Sequence, residues 1–256
     1  MQNNLLINII YQDEDIIVLA KPSGVLTIPD RFNKNEPCLY KLLKIEFPDI
    51  FVVHRLDKDT SGVIIFAKNA EAHKFINQQF QEHTITKIYH AIVSGIVNKD
   101  EMDIDIPIIP HPAKKGLSKP SARGKESLSK VKILERFRLA TLVEVNLVTG
   151  RHHQLRVHCA SVGHPLLVDV DYGSSSEFFL STIKRRFNLK KDDVEKPIIS
   201  RITMHAHSIA FIHPSSKEKV CFKTEYPKDI QALIKVLRKY SSMPSYYNPI
   251  KEYDFS

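Results

Sequence analysis

One short polar turn concentrates side chains that could carry chemistry: His54-Arg55-Leu56-Asp57, followed by Asp59. Residues 51–53 and 63–67 flank the turn and are predicted strands. An ionised carboxylate delivered at the end of a strand can act as a nucleophile or as a base. Thr60-Ser61-Gly62 is expected to close the turn through side-chain-to-backbone hydrogen bonds. Because Asp, Ser and Gly are common in turns, a polar hairpin without chemistry stays open at this point.

A second dense segment, residues 149–158, contains three histidines and is followed by Cys159. These histidines do not have the i, i+4 spacing that would put two metal ligands on one helical face. His205 and His207 can share a strand face, but no third ligand accompanies them. No metal site is therefore expected. Cys159 is predicted to lie on an apolar helix face and to pack there.

Several classes of protein are excluded by missing motifs. Leu56 interrupts the His-Arg-Asp sequence of a protein kinase, and the eight glycines form no phosphate-binding loop. A serine hydrolase would need a Gly-x-Ser-x-Gly elbow, which is absent. The three cysteines are widely spaced and odd in number, which predicts a reducing, cytoplasmic location. No apolar stretch is long enough to predict a membrane span.

The charge balance favours a polyanionic partner. The chain has 37 Lys and Arg against 29 Asp and Glu, a formal net charge of +8. Two polar segments carry much of the excess, residues 111–130 and residues 184–191. Each can be a solvated loop or a surface that contacts phosphates, and the sequence leaves both interpretations open.

The order of apolar patterns predicts an α+β fold with a mixed, largely antiparallel central sheet, because strands follow one another without regular helical crossovers. No repeat or linker interrupts the chain, so residues 1–256 are expected to form a single domain. The helix ending at residue 161 is expected to turn Leu155, Cys159 and Val162 toward the core. The predicted strands are residues 16–20, 51–53, 63–67, 88–93, 131–134, 141–148 and 202–212, and the predicted helices are residues 69–83, about 151–161 and 229–238.

A set of motifs in a fixed order spans nearly the whole chain. They are Tyr11-Gln12-Asp13-Glu14-Asp15, Lys21-Pro22-Ser23-Gly24, His54-Arg55-Leu56-Asp57 with Thr60-Ser61-Gly62, Lys87-Ile88-Tyr89-His90-Ala91 with Gly95, Gly150-Arg151 with His153 to His158, Gly163-His164-Pro165-Leu166, Asp171-Tyr172-Gly173, His205-Ala206 and His213-Pro214. In this order the set resembles the pseudouridine synthases of the family that includes the bacterial ribosomal large-subunit enzymes. One motif alone would be weak, whereas the ordered set is specific.

The resemblance implies roles for individual residues. Asp57 matches the essential aspartate, and Arg156 matches the basic residue that pairs with it. Tyr89 matches the tyrosine that packs against the target base. Arg55 matches an arginine that helps to hold a base out of the helix, and Leu155 is a further substrate-binding candidate. The implied fold is a mixed sheet with flanking helices and an RNA-binding cleft.

The resemblance further implies that the protein isomerises uridines in ribosomal or transfer RNA. No cofactor and no metal ion are expected, and the protein is expected to be a monomer. Because the motifs start by residue 11, no accessory N-terminal RNA-binding domain is expected. His152 stands where the family usually has Thr or Ser, and the segment of residues 188–200 is longer than is usual in the family. The competing hypothesis is an RNA-binding or ribosome-assembly factor on the same fold, and the intact set of Asp57, Tyr89 and Arg156 favours the enzyme.

Overall fold

The computed structural model describes residues 8–30, 33, 36–189 and 193–248. In chain order the first elements are β1 (Asn8–Gln12), β2 (Ile16–Lys21), α1 (Leu39–Glu46), β3 (Phe51–Val52), β4 (Ser61–Ala67), α2 (Ala70–Gln81) and β5 (Thr86–Ser94). The later elements are β6 (Glu101–Asp105), β7 (Ile108–Pro110), β8 (Ser118–Pro120), β9 (Leu128–Arg136), β10 (Ala140–Leu147), α3 (Gln154–Ser161), β11 (Met204–Ile212), β12 (Lys219–Lys223) and α4 (Lys228–Tyr240). Short 3-10 turns occur at Leu180–Thr182 and Ser245–Tyr247.

The chain forms two compact units, each built from two separate stretches. The first unit contains residues 1–89 and 205–227, and the second contains residues 90–204 and 228–256. The single domain expected from the sequence stays a prediction. Among the described residues, no helix has both the length and the apolar character needed to span a membrane.

The sheet of the first unit runs in the order β1, β2, β4, β11, with β3 paired to β4 and β12 paired to β11. The β4–β11 pair is parallel, whereas β1–β2, β2–β4, β3–β4 and β11–β12 are antiparallel. Every residue of β4 is buried, as expected for a central strand covered on both faces. The mixed, largely antiparallel sheet predicted from the sequence is confirmed.

Helix α2 follows β4 and covers the core of this unit. Its N-cap is Asn69, whose side-chain oxygen accepts a hydrogen bond from the Ala72 amide at 2.8 Å. Ala72 and Ile76 are buried in the same apolar cluster as Phe66 of β4. The apolar spacing predicted this helix, and its cap fixes the residue at which it starts.

The part of β5 from His90 onward belongs to the second unit. There β5, β10, β9 and β6 are neighbours in that order, and β7 pairs with β8 in a separate two-stranded sheet. Helix α3 packs against β8. Helix α4 buries Ile230, Leu233, Ile234 and Leu237 along one face. The Arg201 guanidinium donates to both carboxylate oxygens of Asp229, at 2.6 and 2.9 Å, and so ties the start of α4 to its unit.

The structure corrects several details of the sequence prediction. Helix α1 was missed because its N-cap, Cys38, makes no side-chain capping bond and the first turn has no acid. Helix α3 begins at Gln154, three residues late, because His153 takes a left-handed conformation with φ of 56°. Val162 is 36% exposed, so its predicted place in the core was wrong. Residues 111–130 include strand β8, so they are not one continuous loop.

Gly62 occupies a position that excludes any side chain. It pairs with Ala206 of β11, its φ is +125°, and a Cβ there would lie 2.6 Å from the Ala206 amide nitrogen and closer still to its carbonyl oxygen. Since these obstacles are backbone atoms of a buried sheet, they cannot move aside without breaking the β4–β11 pairing.

We therefore expect Gly62→Ala to lower the free energy of unfolding by about 2–4 kcal/mol. The matched control is Gly163→Ala, at a residue with φ of +84° but no atom within 4 Å of its Cβ position, which should cost only about 1–2 kcal/mol of left-handed strain. Urea denaturation of both variants measures the difference. Equal losses would contradict the steric argument.

Candidate active site

Asp57 lies in the segment that joins β3 to β4 and is half-buried. The turn is closed by the backbone, since the Thr60 amide donates to the Asp57 carbonyl at 3.1 Å. The neighbouring Leu56 is buried, and both of its backbone groups bond to the Thr27 hydroxyl, at 2.9 and 3.2 Å. These bonds fix the backbone on both sides of the carboxylate, so Asp57 is presented by a rigid loop.

Residues of the Lys21-Pro22-Ser23-Gly24 motif form hydrogen bonds to the main chain of the same loop. Lys21 is 2% exposed, and its ammonium donates to the carbonyls of Pro22, Val25 and Lys58 at 3.0, 2.6 and 2.8 Å. The Gly24 amide also donates to the Lys58 carbonyl, at 2.9 Å. The Ser23 hydroxyl donates to the Asp59 carbonyl at 2.8 Å. The loop therefore has hydrogen bonds at residues 56, 58 and 59, around Asp57.

His54 has a structural role in this site. Its Nε2 accepts a hydrogen bond from the Ile65 amide at 3.1 Å, which requires that nitrogen to be unprotonated, and its ring lies 5.1 Å from that of Phe80. Burial, with a smaller effect of the Lys87 charge, lowers the pKa of His54 to about 3. His54 is therefore neutral at physiological pH and positions the start of the Asp57 loop.

The end of the loop is fixed by a histidine from the far part of the chain. The Ser61 hydroxyl lies 3.0 Å from Nδ1 of His205, and Nε2 of His205 lies 2.9 Å from the Thr224 hydroxyl. Among the described residues, the Thr60 hydroxyl has no hydrogen-bond partner. The prediction that these side chains bond to the backbone of the turn was therefore wrong: the Asp57 turn closes through a backbone bond, and Ser61 bonds to His205.

Tyr89 belongs to the same unit as Asp57. Burial raises the pKa of the Tyr89 phenol, and the negative charge of Asp57 raises it further, so the phenol is protonated at neutral pH and can donate a hydrogen bond. Tyr89 also packs against the apolar core of the unit, which fixes its ring. Arg55 is exposed on the loop itself. The roles of Tyr89 and Arg55 toward RNA stay predictions.

Arg156, on α3 of the second unit, is 5% exposed and makes charged hydrogen bonds within that unit. Its guanidinium donates to both oxygens of Asp169, at 2.8 and 2.6 Å, and to Asp171 at 2.7 Å. Burial alone lowers the pKa of Arg156, but the bonds and charges of Asp169 and Asp171 together raise it. Arg156 is therefore always protonated and held in one orientation, while its pairing with Asp57 stays a prediction.

Two other residues of α3 are deeply buried. Leu155 is 2% exposed, which favours packing, and its predicted part in substrate binding remains untested. Cys159 is buried as predicted, and burial, with a smaller effect of Asp169, raises the pKa of its thiol to about 12. A thiol with that pKa is not a nucleophile at neutral pH.

Sequence reasoning assigned no function to Lys21, Asp169 or His205, although each fixes a predicted site residue or its loop. Asp169 carried a readable signal, since it directly follows the apolar run Leu166-Leu167-Val168, and an acid at the end of such a run needs a buried cation. Lys21 had a similar signal at the end of a buried strand. Ser61, the loop residue that contacts His205, lies 144 residues earlier, and no local sequence pattern reveals this contact.

Comparison with known proteins identifies the family. The profile of the RNA pseudouridylate synthases matches residues 15–161, more than half of the chain. The chain belongs to this family. An uncharacterised RNA pseudouridine synthase of Aquifex aeolicus is 36% identical over 254 residues, covering 93% of this chain and 75% of that protein.

Two further matches show how far the likeness extends. Ribosomal large subunit pseudouridine synthase D of Neisseria meningitidis serogroup B is 35% identical, and the alignment covers 93% of this chain but 63% of that longer protein. The structure of human RNA pseudouridylate synthase domain containing 4 superposes with a TM-score of 0.70 at 22% identity, over 93% of this chain and 94% of the human one. At that identity the match confirms the pseudouridine synthase fold alone.

The neutral His54 makes this synthase sensitive to acid. Its pKa of about 3 in the folded chain lies below the ordinary value of 6.5, so protons bind the unfolded state more tightly. The stabilising contribution is complete above pH 6.5 and declines as the pH falls from 6.5 toward 3.

We expect His54→Gln, which keeps a hydrogen-bond acceptor, to reduce the loss of unfolding free energy between pH 7.5 and pH 5 by up to about 2 kcal/mol. Urea denaturation at the two pH values measures it. The control is His83→Gln, at an exposed histidine. An unchanged pH dependence in His54→Gln would show that His54 is protonated in the folded chain.

Proposed function

We propose that this chain converts specific uridines of large-subunit ribosomal RNA to pseudouridine, with Asp57 as the catalytic carboxylate. The observation that carries the assignment is the half-buried Asp57, which lies on a loop whose backbone is fixed on both sides and whose charge raises the pKa of the Tyr89 phenol. The family match covers Asp57, Tyr89, Leu155 and Arg156, which supports their assignment. Relatives named as ribosomal large-subunit synthases support the choice of RNA.

The reaction breaks the bond between uracil N1 and the sugar C1′, turns the base, and forms a bond from C5 to C1′. The C5 hydrogen leaves as a proton and N1 gains one, so the product is an isomer and no redox cofactor is required. Asp57 must be ionised, either to attack C1′ or to remove a sugar proton. In the proposal Arg156 supplies the positive charge that favours this ionised form.

The target uridine cannot react while it is stacked, so it must be flipped out of the RNA at a cost of a few kcal/mol. Tyr89 offers an aromatic face for the flipped base, and stacking of this kind is worth roughly 1–3 kcal/mol per base. Arg55 is exposed on the Asp57 loop. We propose that its side chain occupies the position in the RNA stack that the flipped uridine leaves.

The excess of positive charge supports contacts to RNA phosphates that do not depend on sequence. In the second basic segment Lys184, Arg185 and Arg186 are described, whereas Lys190 and Lys191 lie outside the described residues. We propose that the chain acts as one catalytic domain and as a monomer. Its RNA substrate and its three unpaired cysteines support a cytoplasmic location.

Asp57→Asn tests the catalytic assignment, because it removes the charge and keeps the size of the side chain. Release of tritium from RNA labelled at uracil C5 should fall by at least about a thousandfold, since the nucleophile or base is lost. Binding of the same RNA should change less than about threefold. Asp59→Asn is the matched control, an exposed carboxylate two residues along the same loop, and should keep near wild-type release.

The substrate for this assay is large-subunit ribosomal RNA transcribed in vitro, which lacks modifications. Transfer RNA transcripts form the second arm. Release from transfer RNA alone would contradict the proposed substrate, and full release by Asp57→Asn would contradict the role of Asp57.

Tyr89→Phe and Tyr89→Leu separate the ring from its hydroxyl. Because stacking needs only the ring, Tyr89→Phe should bind the RNA as wild type does, whereas Tyr89→Leu should bind about 5–100 times more weakly. The measurement is equilibrium binding in the Asp57→Asn background, where no product forms. Similar affinities in the two variants would argue against a stacking role for Tyr89.

A further inference from the structure

The second unit contains a cavity that the proposed chemistry does not use. Its volume is about 280 Å³, and its walls are the β7–β8 hairpin with its connecting loop, helix α3, and Asp171 and Tyr172 of the following segment. This volume lies near the lower limit for small-molecule sites, which run from about 300 to 1,000 Å³. The cavity therefore admits one planar group, such as a nucleobase.

Its lining divides into an apolar and a cationic part. Leu117 and Pro120 of the hairpin and Val157 and Ala160 of α3 provide the apolar surface. Lys114 and Lys119 also line the cavity; Lys114 is exposed and Lys119 half-buried, so their ammonium groups can reach solvent. An apolar surface bordered by cations matches a nucleotide, which combines a flat, weakly polar base with a phosphate.

His111 adds a donor to the same side. Its Nδ1 accepts hydrogen bonds from the amides of Ala113 and Lys114, at 3.1 and 3.0 Å, so the ring proton is on Nε2. The one acid in the lining, Asp171, accepts a bond from the Arg156 guanidinium at 2.7 Å. That bond offsets part of its charge, since Arg156 also pairs with Asp169, and in the lining Lys114 and Lys119 outnumber this one acid.

The aromatic wall of the cavity is rigid. The Tyr172 hydroxyl accepts a hydrogen bond from the Ser118 amide at 2.7 Å and lies 2.9 Å from Nδ1 of His153. The Arg156 guanidinium lies 4.7 Å from the centre of the Tyr172 ring. These contacts join the hairpin to α3 and fix the ring before any ligand arrives, which reduces the entropy lost on binding.

We propose that this cavity binds one unstacked nucleotide of the substrate RNA other than the target uridine. The base lies against Pro120, Val157 and the Tyr172 ring, and the adjoining phosphates contact Lys114 and Lys119. The proposal rests on the proposed function, because it takes the ligand to be part of the same RNA. It gives the synthase a second point of recognition, which selects RNAs able to expose a further nucleotide besides the target.

Filling the cavity tests the proposal without changing charge. Ala160→Phe places a ring in the apolar part, and Val162→Phe adds the same bulk at an exposed residue outside it. In the Asp57→Asn background, Ala160→Phe should bind the large-subunit transcript about tenfold more weakly, while Val162→Phe binds normally. Circular dichroism and melting temperature establish that both are folded. Normal binding by a folded Ala160→Phe protein would overturn the proposal.

The lysines give an independent measurement. Replacing Lys114 and Lys119 by Gln should lower the slope of log affinity against log salt concentration by about 1 to 2, as expected for one or two lost phosphate contacts. The control replaces Lys99 and Lys235, two exposed lysines that do not line the cavity. Equal changes of slope in the two double variants would overturn the phosphate contacts.

Cross-linking identifies the bound nucleotide. With a transcript containing 4-thiouridine and 6-thioguanosine, we expect peptides of residues 111–120 or 157–172 to be joined to a nucleotide other than the target. Attachment to the target uridine only, or competition by free uridine monophosphate as strong as by RNA, would overturn the proposal. Tritium release by the wild-type protein is scored separately. If it is absent while Ala160→Phe still loses RNA binding, the catalytic role fails and the cavity is supported.

Discussion

A buried ammonium sets the geometry of the candidate site. Taking an ammonium ion out of water costs several kcal/mol, and that cost must be offset by well-placed acceptors. For Lys21 the acceptors include three main-chain carbonyls, one of them from Lys58, the residue after Asp57. Because these carbonyls must point at one nitrogen, the turn that carries Asp57 has little freedom. The position of the Asp57 carboxylate therefore depends on the hydrogen bonds that Lys21 makes to main-chain carbonyls.

The second unit also contains a buried cation with fixed acceptors, and here the acceptors are carboxylates. The Arg156 guanidinium donates two hydrogen bonds to the carboxylate of Asp169, which is 1% exposed. Asp169 also accepts hydrogen bonds from the backbone amides of Asp171 and Tyr172. Replacing one partner of such a pair leaves an uncompensated buried charge. The pair therefore specifies the path of residues 169–172, and with it one wall of the cavity beside α3.

Local patterns predicted most of the fold, and the ordered motifs predicted the family. Strand β4 is a continuous apolar run and helix α2 has both an apolar face and an Asn cap, so each is readable from its own residues. Helix α1 has no comparable cap. The turn before α3 depends on the left-handed backbone of His153, which the residue type does not predict. Part of the support for Asp57 was unreadable for a different reason: Thr27 and His205 act through contacts between residues far apart in sequence. Such contacts follow from tertiary packing alone.

The position of β11 has a consequence for how the chain is made. β4 pairs on one side with β11, which is synthesised about 140 residues later, after residues 90–204 of the second unit. Pairing over so long a separation is slow, because the loop entropy is lost before the contacts form. The edge of β4 that pairs with β11 at Ser61 and Gly62 must therefore wait, unpaired, through much of translation. The final maturation of the Asp57 loop is thus a late event, and this interval is when a nascent chain would be most exposed to aggregation or to chaperones.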